Sequence, residues 1–307
     1  MHQQNVALLF DPSEKGAQEI VSQFASAVRD SCNCLPLPAD RHLPVRVEEL
    51  SIDAAVNLVH DLGLAAQVAA LCRLLELPAT GPSPLAHLAA DRALLKDWLG
   101  IHNFATPASY LARSPVERLA HDHRNFGFPV WVRSRTGSHA AVARSLEELE
   151  AQVLALRAPD GPCGTGEVQI ERLVAGSVVC TALWRGKAVG SAELCAGEDG
   201  AGGRVEELHI PARIPATGLK TMERLAERLA ELFSAHQAML VTTVRSDQQE
   251  TLVLDVDPQP RLHRQDRFCR IAGAYGLSLR ECARQLLSDL NPLRSSRLAT
   301  RSAWICG

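Results

Sequence analysis

Residues 252–261, LVLDVDPQPR, set two carboxylates, Asp255 and Asp257, two positions apart. Side chains alternate faces along a strand, so both acids share one side while Val256 points to the other. The prolines that follow stop the strand. Such a pair can hold a divalent cation through hard oxygen ligands, or it is a strand end meeting water. Cys32 and Cys34, in CNC, are a second pair of potential ligands, but no second cysteine pair completes a zinc set. The nine cysteines are an odd number without CxxC spacing, in a chain too long to need staples, and read as mostly buried thiols. From Asn291 to Gly307, Arg294, Arg297 and Arg301 occur without an acid and lead to SAWICG. This is either a frayed basic terminus or a docking peptide for a protein partner.

The chain that must position these groups has 307 residues, a formal charge of -3 and 46% hydrophobic residues. That suits a sizeable core divided into two or three subdomains. Only 4% of residues are aromatic and no long basic stripe appears, which argues against general nucleic-acid binding. No apolar run approaches the roughly 20 residues of a membrane span, and MHQQNVALLF lacks the basic start and long apolar stretch of a signal peptide. A cytoplasmic location is expected.

NVALLF reads as a buried strand, followed by a turn at DPSEKG and a helix from about Ala17 to Asp30. AAVNLVHDLG and AAQVAALCRLLEL repeat the scheme, which implies a parallel α/β domain. PLAHLAADRALLKDWLGIHNFATP reads as one helix running into an extended segment, and FGFPVWVRSRTGSHAAVARSLEELEAQVLAL as strand, loop, strand and helix. EVQIERLV is a strand, and SVVCTALWRGKAVGSAEL a hairpin turning at Arg185 and Gly186. AGEDGAGGRVEEL reads as a short loop. The next helix, TGLKTMERLAERLAELFSAH, aligns Leu219, Met222, Leu225, Ala226, Leu229 and Phe233 on one face, to pack on a sheet. AMLVTTV and TLVLDVD are the last strands. The expected domains are 1–85 (parallel α/β), 86–166 (central), 167–290 (C-terminal) and 291–307 (basic tail).

The order NLVHDLG, LELPATGPSPLAHLAADRALLK, FGFPVWVRSRTGS, IERLVAG and LVLDVDPQP resembles the ATP-grasp superfamily, and within it the D-alanine:D-alanine ligase family, up to about Leu290. The resemblance implies an α/β three-domain fold, with an N-terminal parallel α/β domain and a nucleotide cleft between central and C-terminal α+β domains. It further implies a carboxylate–amine ligase with ATP and Mg²⁺ as cofactors, and a homodimer formed through the N-terminal domain. Arg92, Lys96 and Arg133 fall where the family's cations meet phosphate. Glu171 falls where an acid accepts the adenine amine, and Leu173 where backbone atoms reach the ring. Ser138, in the phosphate-clamping turn, and His60 stand as candidate catalytic residues. Asp255 and Asp257 fall at two metal-ligand positions, with Thr242 at the third.

The departures cluster on the chemistry. Arg replaces Lys at 92 and 133, keeping charge but not shape. His139, Ala140 and Ala141 replace Ser and Gly in the clamp, Val178 replaces the ribose acid, and Thr242 offers no carboxylate. Leu240 and Arg261 replace the oxyanion Arg and Gly, and Asp266 falls at or near a Ser that would hold a carboxylate. Glu14 matches the family's amine-orienting acid only with a one-residue slip, and the short loop at 196–208 contains neither the Tyr nor the Lys expected to close over the second subsite. These losses weaken the grip on both ATP and Mg²⁺. The leading expectation is a non-catalytic or very weakly active binding or regulatory relative near cell-wall precursor metabolism. The alternatives are an active ligase with altered substrates, and a scaffold that binds a partner without nucleotide.

Overall fold

A computed structural model describes residues 4–113, 115–135, 140–158, 167–198 and 204–290. The chain divides into two compact units. One combines Met1–His87, Cys180–Val241 and the chain from Val256 onward; the other combines Leu88–Val179 with Thr242–Asp255.

The first unit begins with a parallel sheet in the order β2-β1-β3-β4, made of Asn5–Phe10 (β1), Asn33–Pro38 (β2), Ala54–Asn57 (β3) and Ala79–Thr80 (β4). Ala17–Val28 (α1) buries Ile20, Val21 and Phe24, and Leu62–Leu74 (α3) buries Ala65, Val68 and Cys72. β1 is buried on both sides, between two apolar clusters, as central parallel strands are. The sequence reading passes from α1 directly to β3 and misses β2 and Leu43–Glu49 (α2). Prolines 36 and 38 demote NCLPLP as a strand, yet β2 lies at the sheet edge, where a missing N–H leaves no partner unsatisfied.

A second sheet has the order β11-β10-β9-β12-β13. Its strands are Gly176–Trp184 (β9), Lys187–Glu198 (β10), Arg204–His209 (β11), Ala238–Ser246 (β12) and Thr251–Asp257 (β13). The β9–β10 turn uses Arg185 (φ 51°) and Gly186 (φ 75°), both left-handed as a two-residue hairpin requires. Ala216–Leu232 (α8) packs on β10 through the face that includes Met222, Ala226 and Leu229. The expected loop at AGEDGAGGRVEEL is corrected in part: its polar, Gly-rich start hides β11, which pairs antiparallel with β10; residues 199–203 lie outside the described residues. Beyond β13, Arg267–Ala274 (α9) and a helix over 279–290 pack Phe268, Ile271, Ala283 and Leu286 into the core of this unit.

The second unit carries an antiparallel sheet, β5-β8-β6-β7. It consists of Ser109–Ala112 (β5), Val130–Ser134 (β6), Ala140–Ala143 (β7) and Val168–Arg172 (β8). One face packs Val130, Val132, Val168 and Ile170 against Leu149 and Val153 of Leu146–Arg157 (α7). The helix expected over PLAHLAADRALLK is two helices, His87–Ala90 (α4) and Arg92–Ile101 (α5). Asp91 between them is extended (φ -115°, ψ 108°), and its carboxylate accepts the N–H groups of Ala93 and Leu94 at 3.0 and 3.2 Å. An aspartate competes well for such free amides, so the chain restarts rather than continues.

The seven described cysteines are free thiols, five of them buried, as expected. Burial pushes Cys72 up to about 11 and Cys269 and Cys282 to about 12, which keeps them protonated and unreactive at neutral pH. Among the described residues no helix is long and apolar enough to cross a membrane.

Candidate functional site

The strand register of the second unit decides which side chains meet. Arg133 lies opposite Gln169, Trp131 opposite Glu171, and Ser109 opposite Glu171. Alternation therefore gathers Trp131, Arg133, Gln169, Glu171 and Ser109 on one face, with the valines on the other. The same sheet is an apolar wall on one side and a charged platform on the other.

α5 supplies the remaining cations. Lys96 lies 2.9 Å from Glu171 and donates to the Pro107 carbonyl at 2.7 Å. The Lys96 and Glu171 side chains are only 10% and 2% exposed. Arg92, in the first turn of α5, reaches to 3.6 Å from Asp255 on β13. The Arg133 guanidinium stacks 4.9 Å from the Trp131 ring centre, a cation–π contact. Three cations and two carboxylates thus converge within one unit: Arg92, Lys96 and Arg133 with Glu171 and Asp255.

The electrostatics record this crowding. Lys96 is held below its usual lysine value, first by burial and then by Arg133 and Arg92, against the pull of Glu171. Arg133 is lowered by burial and then by Arg92, with Glu171 and Asp255 opposing. Both cations would gain from an incoming anion. Two buried polar atoms on the platform, Arg133 Nε and Gln169 Oε1, have no hydrogen-bond partner among the described residues. Unsatisfied buried donors and acceptors are costly. Their placement fits a polar ligand offering an acceptor to the first and a donor to the second. A cavity of about 260 Å³ opens beside Lys96, Ser109 and Gln169.

The metal positions fit less well. Asp255 is engaged by Arg92. Asp257, just across the boundary in the first unit, accepts the Gln259 N–H at 3.0 Å. Thr242 lies on β12 and brings no carboxylate. Among the described residues no three His, Cys, Asp or Glu side chains come together as a metal group, and Cys32 and Cys34, 3.5 Å apart, gain no further ligand. Mg²⁺ favours carboxylate oxygens at 2.0–2.1 Å in near-ideal octahedral geometry. This set does not provide it.

The Leu173 N–H is committed to the Pro129 carbonyl at 3.1 Å. Ser138 lies outside the described residues, as do Gly137, His139 and the 291–307 tail. His60 is in the first unit, with Nδ1 3.1 Å from the Gln259 carbonyl. A carbonyl only accepts, so Nδ1 is the donor in this contact. His60 borders a cleft of about 470 Å³ with Asp257, Arg261, Asp266 and Arg270. In that unit Arg261 forms a 2.7 Å ion pair with Glu14.

Sequence reasoning missed the brace beneath the platform. Arg135 pairs with Asp91 at 2.7 Å and with Glu167, and its carbonyl accepts the Arg92 N–H at 3.1 Å. It also missed Gln169 and Trp131. The polar alternation of VQIE, with Gln169 and Glu171 two apart, was the available signal.

No protein-family model matches the sequence, and no curated protein matches it. Solved structures do. The D-alanine–D-alanine ligase from Bacillus anthracis complexed with ATP is 15% identical, with 97% of this chain and 100% of that one covered and a TM-score of 0.77. The VanG D-Ala:D-Ser ligase from Enterococcus faecalis is 16% identical, with 94% and 100% covered and a TM-score of 0.74. D-alanyl-alanine synthetase A from Vibrio cholerae is 12% identical, with 96% and 99% covered and a TM-score of 0.76. At these identities the likeness is one of fold, and the chain has the ATP-grasp fold of the D-alanine–D-alanine ligases over nearly its whole length.

Proposed function

We propose that this chain is a nucleotide-binding protein on the D-alanine–D-alanine ligase fold that does not turn over as a ligase, and acts as a binding or regulatory relative near cell-wall precursor metabolism. The observation that carries the reading is Asp255: a carboxylate at a metal-ligand position is engaged by a phosphate-type arginine, Arg92, at 3.6 Å. The cations of the platform persist while the acids that would hold Mg²⁺ are diverted or missing. A Bacillus anthracis ligase of this fold was solved with ATP, which supports a nucleotide on the same fold here. Arg92, Lys96 and Arg133 would meet its phosphates through charge-assisted hydrogen bonds, and Arg133 Nε would gain an acceptor that it does not find among the described residues. Bound ATP would supply the phosphoryl group that activates a carboxylate. Leu240, Thr242 and Asp266 are poor substitutes for the groups such a reaction uses, because rate comes from positioned charge.

Melting scans of the full chain with ADP or ATP test the reading, alongside an assay for released phosphate across amino-acid pairs. The expected result is a nucleotide-dependent rise in melting temperature with no phosphate release. Sustained ADP formation dependent on an amino acid would replace this reading with an active ligase of altered substrates, which the retained trio of cations favours. No shift with either nucleotide would leave the scaffold reading. Homodimerisation through the N-terminal α/β region and partner docking by residues 291–307 belong to the proposal too, and sedimentation with and without that tail tests both.

A further inference from the structure

The engagement of Asp255 has a consequence for how any phosphate ligand is neutralised. Arg92 is firmly set: it follows the helix-capping Asp91, and its N–H is tied to Arg135 at 3.1 Å. Its guanidinium lies 3.6 Å from Asp255 Oδ1, and the two side chains are 22% and 43% exposed. A divalent cation at Asp255 would have to displace that guanidinium and would then be opposed by Arg133, which already interacts with the Asp255 charge. Repulsion among like charges at such spacing is large in a partly buried site, and Mg²⁺ surrenders its water only to well-placed oxygens. Arginine is suited to the opposite task, because its planar fork meets phosphate oxygens directly and its charge is permanent.

We propose that Arg92, held by Asp255, takes the place of the divalent cation, so that this site binds a nucleoside polyphosphate through Arg92, Lys96 and Arg133 without metal. Asp255 is then the counter-ion that aims Arg92. This rests on the nucleotide reading above and specifies its chemistry: the ligand is the free polyphosphate anion, and its Mg²⁺ complex binds no better.

Isothermal titration of ADP and ATP into the full chain, in EDTA and again in excess Mg²⁺, tests this. Wild-type affinity is expected to be equal or tighter in EDTA. Asp255→Asn, which keeps an oxygen able to accept from Arg92 but removes the charge, is expected to leave metal-free binding equal or tighter, because Arg92 stays aimed while one negative charge beside the phosphates is gone. Arg92→Met is expected to weaken it by about tenfold or more, the loss of one charge-assisted contact. Asp255→Ser serves as the second neutral variant, and the unliganded melting temperature of each variant verifies folding. Mg²⁺ tightening wild-type binding by about tenfold, with Asp255→Asn abolishing that gain, would overturn the proposal and restore Asp255 as a metal ligand. Failure of both nucleotides to bind in both buffers would remove the nucleotide reading itself, and this inference with it.

Discussion

Lys96 Nζ stands 2.9 Å from Glu171 Oε2, in a part of the second unit where the glutamate side chain is 2% exposed and the lysine 10%. The pair joins α5 to the charged face of the antiparallel sheet, and the Pro107 carbonyl accepts a hydrogen bond from a further N–H of the ammonium. An ion pair this deep gains less than its geometry suggests, because both charges were removed from water, but losing one partner strands the other.

Lys96→Met is therefore expected to destabilise the fold by about 3 kcal/mol, since it removes the 2.9 Å partner of a buried carboxylate. The double variant Lys96→Met/Glu171→Leu should fall within about 1 kcal/mol of wild type. Chemical denaturation of the four chains closes the cycle. Equal losses in the single and double variants would mean that the helix contact, and not the charge pair, is what matters.

Arg133 carries a different expectation. Its Nε is buried without a partner among the described residues, and burial and Arg92 already work against its charge. Arg133→Met should leave the unliganded melting temperature unchanged or raised, and should remove most of the shift caused by ADP. For a ligand at 100 times its Kd that shift corresponds to about 2.7 kcal/mol in the wild type. An undiminished shift in the variant would place the nucleotide elsewhere.

Acid sensitivity should come in part from His123. It is 4% exposed, shares a 3.0 Å hydrogen bond with the Tyr110 hydroxyl and packs 4.3 Å from the Phe128 ring centre. Burial holds it below its ordinary 6.5, against an opposing contact from the Gly127 backbone. As pH falls below 6.5 the unfolded chain takes up this proton first, so stability drops until the lowered folded value is passed, and is unaffected above 6.5. His123→Gln should lose less stability than wild type between pH 7.5 and pH 5.5, values chosen about one unit either side of the ordinary histidine pKa. Parallel urea curves at the two pH values are the measurement, and identical losses would clear His123 of the effect.

Gly176 opens β9 with φ +148°, and a Cβ there would lie 2.0 Å from the Arg245 carbonyl oxygen. That neighbour is backbone and cannot swing away, so Gly176→Ala should cost at least about 2 kcal/mol through overpacking and strain together. A Cβ added at Gly16, at φ +87° before α1, would meet no atom of the described residues within 4 Å. Alanine at that position should cost only about 1 kcal/mol, the left-handed penalty alone. Thermal denaturation of both variants compares the two, and similar losses would show that the close approach at Gly176 is relieved by movement.

Much of the architecture is legible locally. The apolar periodicity of α8 and the left-handed turn residues Arg185 and Gly186 come from short stretches whose side chains select one backbone geometry. The failures are equally specific. β2 was hidden by prolines that only its edge position tolerates, β11 by a polar start that only its pairing with β10 explains, and the break at Asp91 by apolar spacing that continues across it. In each case a local rule was overridden by a neighbour distant in sequence or by a cap too small to disturb the periodicity.

Local pattern alone puts Asp255 and Asp257 on one strand, Arg92 and Lys96 one helical turn apart, and Arg133 and Glu171 on strands of alternating pattern. Their partners come from long-range packing: Arg92 meets Asp255, Lys96 meets Glu171, and Glu14 meets Arg261. Strand and helix periods are properties of the backbone and can be read within a few residues. The partner of a charge depends on which distant elements pack together and in what register, and a one-residue slip would reverse every face.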